Sequence, residues 1–233
     1  MAGRIVALLP MKAHSERVKG KNFRMFNGKP LFRWVLDSLL RLEMIDRVVI
    51  NTDARAILAE NGLVDSDRVL IRDRLPEICG DFISMNRILA DDLAHVPADI
   101  YLMTHTTNPL LSSATIRTAL ARFMAGRDEF DSLFTVNKFQ TRFYRADGSP
   151  VNHDPNNLVR TQDLEPWYEE NSNLYVFTQE SFLKTNARIG RKPLLFETPR
   201  MESFDIDIPA DWTICEVVSK YAMAVKGSDS CEF

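Results

Sequence analysis

The chain has 233 residues, of which 45% are hydrophobic and 26% charged, and its formal net charge is −3. This length fits one large α/β domain with a modest insertion, which can bury a core without disulfide or metal staples. The slightly acidic balance argues against general nucleic-acid binding, which favours strongly basic domains.

Short apolar runs alternate along the chain with patterns of helical spacing. Strands are predicted at about 5–9, 47–51, 69–71, 100–103, 132–136 and 173–177, and helices at about 30–43, 54–61, 83–95, 113–124, 179–186 and 209–220. This alternation predicts a mostly parallel sheet with helices on both faces.

The rhythm fails over residues 137–170, which we name the arm. This stretch is polar and has turn signals at Asp147-Gly148 and Asp154-Pro155. It nevertheless contains several large apolar and aromatic side chains, which so small a unit cannot bury by itself. We therefore expect one domain over residues 1–233, whose arm packs on the main body or on a second chain.

Cysteine usage and hydropathy indicate the compartment. Cys79, Cys215 and Cys231 are widely spaced and odd in number, which suits a reducing environment. The first apolar run, residues 5–9, is too short for a signal or membrane-spanning segment. We expect a soluble cytoplasmic protein that binds neither membrane nor nucleic acid.

The loop after the first predicted strand is rich in positive charge. Lys12, Arg17 and Lys21 could converge on one polyanion, and Ser15 and Gly20 add a hydroxyl donor and a flexible backbone. In open α/β sheets, ligands bind at the carboxyl ends of strands, where this loop begins. The alternative is a solvated surface loop. The loop has neither a Walker A motif nor the G-x-G-x-x-G dinucleotide fingerprint.

A second candidate site lies near the end of the chain. Asp205 and Asp207 are separated by one apolar residue, so in an extended segment both carboxylates face the same side. Paired hard oxygen ligands suit Mg²⁺ bridged to phosphate. The alternative is a solvated strand edge.

Taken together, these motifs resemble the acylneuraminate cytidylyltransferase family, which makes CMP-activated sialic acids. The family signature I-P-A-R-x-x-S-K-x-I-x-x-K-N matches Pro10, Ser15, Lys21 and Asn22. Further matches follow in the family's order at residues 27–31, 51–53, 70–72, 107–110 and 203–207. The resemblance implies a Rossmann-like nucleotidyltransferase sheet with a small dimerisation arm, and therefore a homodimer.

The resemblance also implies roles for particular residues. The first loop would wrap the CTP triphosphate, Asp205 and Asp207 would ligate Mg²⁺, and Lys12, Lys21 and Asp207 would act in catalysis. The implied nucleotide contacts are Pro10, Lys12, Ser15, Arg17, Lys21, Asn22, Arg72 and Ser84. The implied acceptor contacts are His105, Thr106, Asn108, Arg142, Glu169, Asn171 and Tyr175.

Three positions depart from the family pattern. Glu16 replaces a lysine, and we expect its side chain to point away from the phosphates. His105 and Glu169 replace residues that the family uses near the acceptor sugar. We therefore expect a cytidylyltransferase that acts on a sialic-acid-like acid other than N-acetylneuraminate. Alternatives are another acceptor (octulosonate or phosphonate), another NTP, or a non-catalytic sugar-nucleotide binder.

Overall fold

The computed structural model describes residues 3–229, with side chains as far as Met223. Seven strands form one sheet in the order β5-β4-β1-β6-β8-β7-β9. Their bounds are β1 Ile5–Leu8, β4 Arg47–Thr52, β5 Val69–Asp73, β6 Ile100–Thr104, β7 Ser132–Phe139, β8 Trp167–Phe177 and β9 Pro193–Glu197. Within this sheet β8 alone runs opposite to the others, so the predicted mostly parallel sheet is confirmed.

The described residues form six α-helices, of which five lie between strands and the sixth follows β9. They are α1 Leu31–Leu40, α2 Arg55–Glu60, α3 Met85–His95, α4 Ser113–Ala125, α5 Gln179–Thr185 and α6 Pro209–Asp229. Local chemistry sets some of the boundaries: the Ser112 hydroxyl accepts a hydrogen bond from Thr115 N and caps α4. A small hairpin of β2 (Met25–Phe26) and β3 (Lys29–Pro30) precedes α1. This hairpin and β9 were not predicted.

Apolar side chains cover both faces of the sheet. All four residues of β1 are buried, as expected for a central strand. One face packs against α1 and α4, through residues such as Phe32 and Phe123. The other face packs against α3 and α5, through residues such as Leu89 and Phe182. The sheet thus separates two apolar layers and leaves the ends of its strands as the open surface.

The arm is partly an extension of the sheet. β7 and β8 pair out to Phe139 and Trp167, beyond the ends predicted for both strands. The remaining residues, 140–166, are irregular apart from a 3₁₀ turn at Thr161–Asp163 and an isolated bridge. Phe143 stacks on Trp167 with ring centroids 5.5 Å apart. Tyr144, Leu158, Val159, Trp167 and Tyr168 remain exposed within this chain.

Among the described residues, no helix has both the length and the apolar character needed to cross a membrane. Cys215 is buried and Cys79 is partly exposed, while Cys231 lies outside the described residues.

Candidate active site

The basic loop leaves the sheet at the carboxyl end of β1. Met11 N still donates to Asn51 O, so the chain follows β4 past the end of β1 before it turns away. The buried side chain of Val18 then anchors the loop in an apolar cluster with Phe26 and Trp212. Gly20 has a φ of +62°, a conformation that favours glycine, and the loop returns there toward Lys21.

Two adjoining cavities lie beside this loop. The inner cavity, of about 230 Å³, is lined by Pro10, Met11, Lys12, Ser15, Lys21, Asn22, Arg74, Gly80, Asp81, Ile83, Met85, Ile88, His105, Thr106 and Thr107. The outer cavity, of about 240 Å³, is lined by Lys12, Ser15, Glu16, Arg17, Val18, Lys21 and Asp81. Glu16 therefore lies among the cations of the loop, and the expectation that it points away is wrong.

Lys21 joins the loop to the paired aspartates. Its ammonium donates to Ile206 O and lies 3.6 Å from Asp207 Oδ1. Arg17 Nη2 donates to the same carboxylate oxygen at 2.8 Å. Burial lowers the pKa of Lys21, although the charges of Asp207 and Asp205 oppose that shift. The sequence therefore brings together Arg17, Lys21, Asp205 and Asp207 as predicted.

Asp205 fits a cation that takes oxygen ligands. Burial raises its pKa and the charge of Asp207 adds to this, while a hydrogen bond from Thr107 and the charge of Lys21 act against it. Its Oδ1 is buried without a hydrogen-bond partner, which is costly unless another ligand satisfies it. No group of three potential protein ligands occurs among the described residues. Mg²⁺ commonly uses one or two carboxylates and keeps water and phosphate ligands, so these two aspartates fit it.

Arg74, not Arg72, faces the inner cavity. The Arg72 guanidinium is held by two carboxylates of α3, 2.9 Å from Asp91 Oδ2 and in contact with Asp92. Arg72 does not line the inner cavity, and its nucleotide contact stays a prediction. Arg74 Nε donates to Asn51 Oδ1 at 2.9 Å, and burial lowers the pKa of its guanidinium.

A buried polar network supports Arg74 from below. Asn51 Nδ2 donates to Asp92 Oδ1 at 2.8 Å while Asn51 Oδ1 accepts from Arg74. Burial raises the pKa of Asp92 to about 6, against the hydrogen bond from Asn51 and the charge of Arg72. Asn51 therefore fixes the direction of the Arg74 side chain.

Asn22 ties the loop to the end of β6. Its Nδ2 donates to Lys12 O at 2.8 Å and its Oδ1 accepts from the Thr106 hydroxyl at 2.6 Å. Both ends of the amide are thus engaged with protein. Lys12 itself pairs with Asp81. Ser84 is exposed at the start of α3, between two lining residues of the inner cavity.

The predicted acceptor contacts fall into two groups. His105 and Thr106 line the inner cavity, whereas Asn108 is buried behind it and reaches Phe204 O at 3.4 Å. Asn171 is also buried, and it donates to Thr198 Oγ1 at 2.7 Å. In this chain Asn108 and Asn171 act as internal hydrogen-bonding residues.

Two further predicted acceptor contacts belong to the arm. Arg142 Nη2 donates to Val159 O at 2.7 Å, and Glu169 accepts from Asn137 Nδ2 at 2.9 Å. Neither residue lines the inner or the outer cavity of its own chain.

Tyr175 contacts an arginine that the sequence motifs did not indicate, and the charge of this arginine also acts on His105. Arg188 Nη2 donates to the Tyr175 hydroxyl at 2.9 Å. Burial, together with the charges of Arg188 and Lys21, lowers the pKa of His105 to about 3, so its imidazole is neutral at physiological pH. Arg188 lies in the loop after α5, outside every motif, and no spacing in the sequence links it to His105.

A larger cavity, of about 320 Å³, lies elsewhere, between α1, the loop before α4, and α6. Its lining is mainly apolar, and its Lys29 and Asp37 pair with each other. The cations that could hold phosphate are in the inner and outer cavities, so the candidate active site is assigned there.

Comparison with known sequences agrees with this geometry. The chain is 27% identical over 221 residues to N-acylneuraminate cytidylyltransferase of Oncorhynchus mykiss, and covers 49% of that protein with 91% of its own length. It is 27% identical over 229 residues to CMP-N,N'-diacetyllegionaminic acid synthase of Legionella pneumophila, with 91% of this chain and 95% of that protein covered. It is 23% identical over 226 residues to pseudaminic acid cytidylyltransferase of Campylobacter jejuni, with 92% of this chain and 96% of that protein covered. The chain thus spans about half of the Oncorhynchus protein and nearly all of the two bacterial ones.

Solved structures share the fold at low sequence identity. CMP:2-keto-3-deoxy-manno-octonic acid synthetase complexed with CTP matches with a TM-score of 0.62 and 16% identity over 95% of this chain and 99% of that one. The 4-diphosphocytidyl-2C-methyl-D-erythritol synthase of Anaerococcus prevotii matches with a TM-score of 0.63 and 13% identity. This match covers 94% of this chain and 97% of that one.

The sequence profile of the family described as cytidylyltransferase matches residues 6–222. This match takes in β1, the basic loop, both cavities and the paired aspartates, so it covers the candidate site as well as the sheet that carries it. The chain therefore belongs to the cytidylyltransferase family.

Proposed function

We propose that this protein transfers CMP from CTP to a sialic-acid-like sugar acid of the nonulosonate type, with release of pyrophosphate and with Mg²⁺ as cofactor. The observation that carries the proposal is the convergence of Lys12, Lys21 and Arg74 on one cavity beside the Asp205–Asp207 pair. The names of the relatives, which act on N-acylneuraminate, legionaminic acid and pseudaminic acid, favour this acceptor class.

On this proposal the protein positions the reactants and neutralises charge. A hydroxyl of the acceptor attacks the α-phosphorus of CTP, and the bond to the β-phosphate oxygen breaks. Lys12, Arg17 and Lys21 hold the phosphates with charge-assisted hydrogen bonds that strengthen as negative charge moves onto the leaving pyrophosphate. Ser15 and the Arg74 guanidinium complete the nucleotide side of the site.

The aspartates hold the cofactor. Asp205 offers a buried carboxylate oxygen without a partner, and Asp207 offers a carboxylate that now neutralises two cations. When bound there, Mg²⁺ supplies charge stabilisation to the phosphate oxygens. Lys21 and Arg17 are free to turn toward phosphate once Asp207 has another partner.

The acceptor side is assigned to His105 and Thr106 in this chain and to the arm of a second chain. A neutral His105 can orient an acceptor hydroxyl by hydrogen bonding without attracting anions. Arg142 and Glu169 lie away from both cavities of their own chain, so we propose a homodimer in which one arm approaches the partner's acceptor site. The three widely spaced cysteines suit a cytoplasmic enzyme.

Pyrophosphate release, measured for each NTP against a panel of acids, tests the proposal. The panel contains N-acetylneuraminate, N,N'-diacetyllegionaminate, pseudaminate, 2-keto-3-deoxy-manno-octonate and a phosphonate. We expect turnover with CTP and a nonulosonate, and loss of turnover when EDTA removes the metal. Turnover of 2-keto-3-deoxy-manno-octonate alone would favour an octulosonate as the acceptor. The CTP-bound structural neighbour is named as a synthetase for that acid.

Thermal unfolding separates a nucleotide binder from an enzyme. CTP with Mg²⁺ should raise the melting temperature more than ATP, GTP or UTP does, because preferential binding stabilises the native state. Equal shifts with all four nucleotides would remove the cytidylyl assignment. A CTP-specific shift without turnover of any acid would indicate a non-catalytic sugar-nucleotide binder.

A further inference from the structure

Arg188 is held in a fixed position by contacts with α3, β6 and β8. Its guanidinium lies 3.8 Å from the centroid of the Tyr175 ring. Its Nη2 donates to the Tyr175 hydroxyl at 2.9 Å and approaches Glu170 Oε1 at 3.4 Å. The backbone N of Arg188 also donates to Asn86 Oδ1 of α3 at 3.3 Å, which fixes the loop. Only 19% of its side chain is exposed.

The guanidinium has donors that the protein leaves unused. An arginine carries five N–H donors in a rigid fork. Among the described contacts, Nη1 reaches only the Met103 sulfur at 3.8 Å, a weak acceptor, and no oxygen accepts from Nε. Nε is not sealed in the interior, because it does not occur among the buried polar atoms without a partner. Nε–H and the N–H groups of Nη1 point in different directions, so each can donate a single charge-assisted hydrogen bond to an oxygen of an anionic ligand.

The contact of Arg188 with Met103 brings these donors to the strand that leads into the inner cavity. Met103 is near the end of β6, and His105 follows it and lines the inner cavity. His105 and Lys21 both line the inner cavity, so this end of β6 faces the nucleotide loop. The acids at the start of β8, Glu169 and Glu170, would repel an anionic acceptor if no cation offset them.

We propose that Arg188 binds the carboxylate of the sugar-acid acceptor, in a subsite completed by His105 and Tyr175, and selects acids over neutral sugars. This inference rests on the proposed function and names its specificity-determining residue. The Tyr175 hydroxyl accepts from Arg188 and donates to Glu170, so these two residues orient the guanidinium while the subsite is empty. Burial and the hydrogen bond to Glu170 raise the pKa of Tyr175 to about 12, against the charge of Arg188, and the hydroxyl keeps its proton.

The test measures steady-state kinetics with CTP and the best acid of a panel of N-acetylneuraminate, N,N'-diacetyllegionaminate, pseudaminate and 2-keto-3-deoxy-manno-octonate. Arg188→Gln should raise the KM for the acid about 10- to 100-fold, the loss expected for a charge-assisted carboxylate contact, and leave the KM for CTP within about twofold. Arg188→Lys should recover part of the loss, because it keeps the charge without the fork. Arg191→Ala, an exposed arginine of the same loop, is the matched control and should not change either KM.

The methyl ester of the same acceptor shows whether Arg188 binds the acceptor carboxylate or only supports the fold. The wild-type protein should prefer the acid to its ester by about tenfold or more, and Arg188→Gln should treat the two alike. An equal loss for acid and ester, or an equal rise in the KM for CTP, would show that Arg188 only supports the fold. If the variants unfold, a wild-type protein without preference for the acid still overturns the inference. A wild-type protein that turns over no acid of the panel overturns the proposed function instead.

Discussion

Asp207 is a residue on which several roles converge. Its carboxylate accepts a hydrogen bond from Arg17 and lies 3.6 Å from the Lys21 ammonium. Asp207→Asn keeps the shape and removes the charge that would hold Mg²⁺, so we expect loss of pyrophosphate release with an unchanged melting temperature. Asp128→Asn, in the exposed turn after α4, is the control and should retain activity. Turnover of Asp207→Asn at the wild-type rate would exclude Asp207 as a magnesium ligand.

Lys21 differs from its loop neighbour Lys19 in burial and in its contacts with Ile206 and Asp207. Only 12% of the Lys21 side chain is exposed, whereas Lys19 lies on the surface. Lys21→Ala should weaken CTP binding by about 1.5–3 kcal/mol, the worth of a hydrogen bond to a charged group. Calorimetric titration with CTP measures the dissociation constant, and Lys19→Ala should leave it nearly unchanged. Equal constants for wild type and Lys21→Ala would mean that the loop is merely solvated.

His105 makes stability depend on pH. Burial first, and the charges of Arg188 and Lys21 next, lower its pKa to about 3 in the folded protein. Below its ordinary value of about 6.5, the unfolded chain therefore binds the proton better, and stability falls as the pH drops from 7.5 to 5.5. This group should account for about 1 kcal/mol of that loss.

Urea unfolding at the two pH values measures this contribution. His105→Gln cannot take up the proton, so the loss of unfolding free energy between pH 7.5 and 5.5 should be smaller than in the wild type. His14→Gln, an exposed histidine on the basic loop, should behave as the wild type does. Identical pH dependence in all three proteins would contradict a His105 that stays neutral in the folded protein.

At the scale of elements, hydrophobic periodicity was sufficient to predict the helices that pack against the sheet and the strands that they cover. The predicted runs at β1, β4, β5 and β6 and the six predicted helices all occur, with ends shifted by up to three residues, except that α6 continues nine residues beyond its predicted end. Each of these strands is short and apolar because it is covered on both faces. The parallel order followed from the alternation of strands with helices.

The missed elements are those whose hydrophobic pattern is weak. The first part of β8, residues 167–170, is exposed along its length, and it is a strand because β7 pairs with it. β9 lies at the edge of the sheet and begins with a proline, which is compatible with an edge position but does not identify one. In these segments pairing across the chain decides the structure.

That Arg74 and not Arg72 lines the inner cavity has a similar cause. Arg72 and Arg74 stand two residues apart, so spacing alone cannot tell which one reaches the cavity. The difference is made by Asp91 and Asp92 of α3, which take up the Arg72 guanidinium. Arg188 likewise depends on the packing of the loop after α5, which no motif describes.

The arm should be separable from nucleotide binding. Neither cavity is lined by an arm residue of the same chain. Replacing residues 141–163 by a short glycine-containing turn should therefore preserve the CTP-induced rise in melting temperature and abolish CMP transfer. Retained transfer would show that the arm has no part in acceptor binding, and a lost thermal shift would show that the nucleotide site depends on it.

At the scale of the whole molecule, the arm carries five exposed large apolar side chains, and α6 with the residue before it carries another five. Leu158 is 64% exposed and Tyr168 47% exposed. Apolar groups left uncovered in this way often mark an interface. We therefore expect a homodimer, and light scattering at micromolar concentration should give twice the mass of 26.7 kDa.

A charge placed on this surface checks the assignment. Leu158→Asp should shift the protein toward the monomer and lower its activity with it. Leu183→Asp, on an equally exposed leucine of α5, is the control and should remain a dimer. A fully active wild-type monomer would rule out an acceptor site shared between chains.

The ion pairs of the basic loop also determine what nucleotide binding costs. Lys12 is engaged by Asp81, and Arg17 and Lys21 by Asp207. A triphosphate arriving at this loop exchanges one anionic partner for another, so the free energy gained is a difference between two sets of ion pairs. A divalent cation taken up by Asp207 removes the competitor for Arg17 and Lys21, and the freed arginine and lysine hold phosphate more tightly. Nucleotide and cation then favour each other's binding by the same factor, as thermodynamic reciprocity demands.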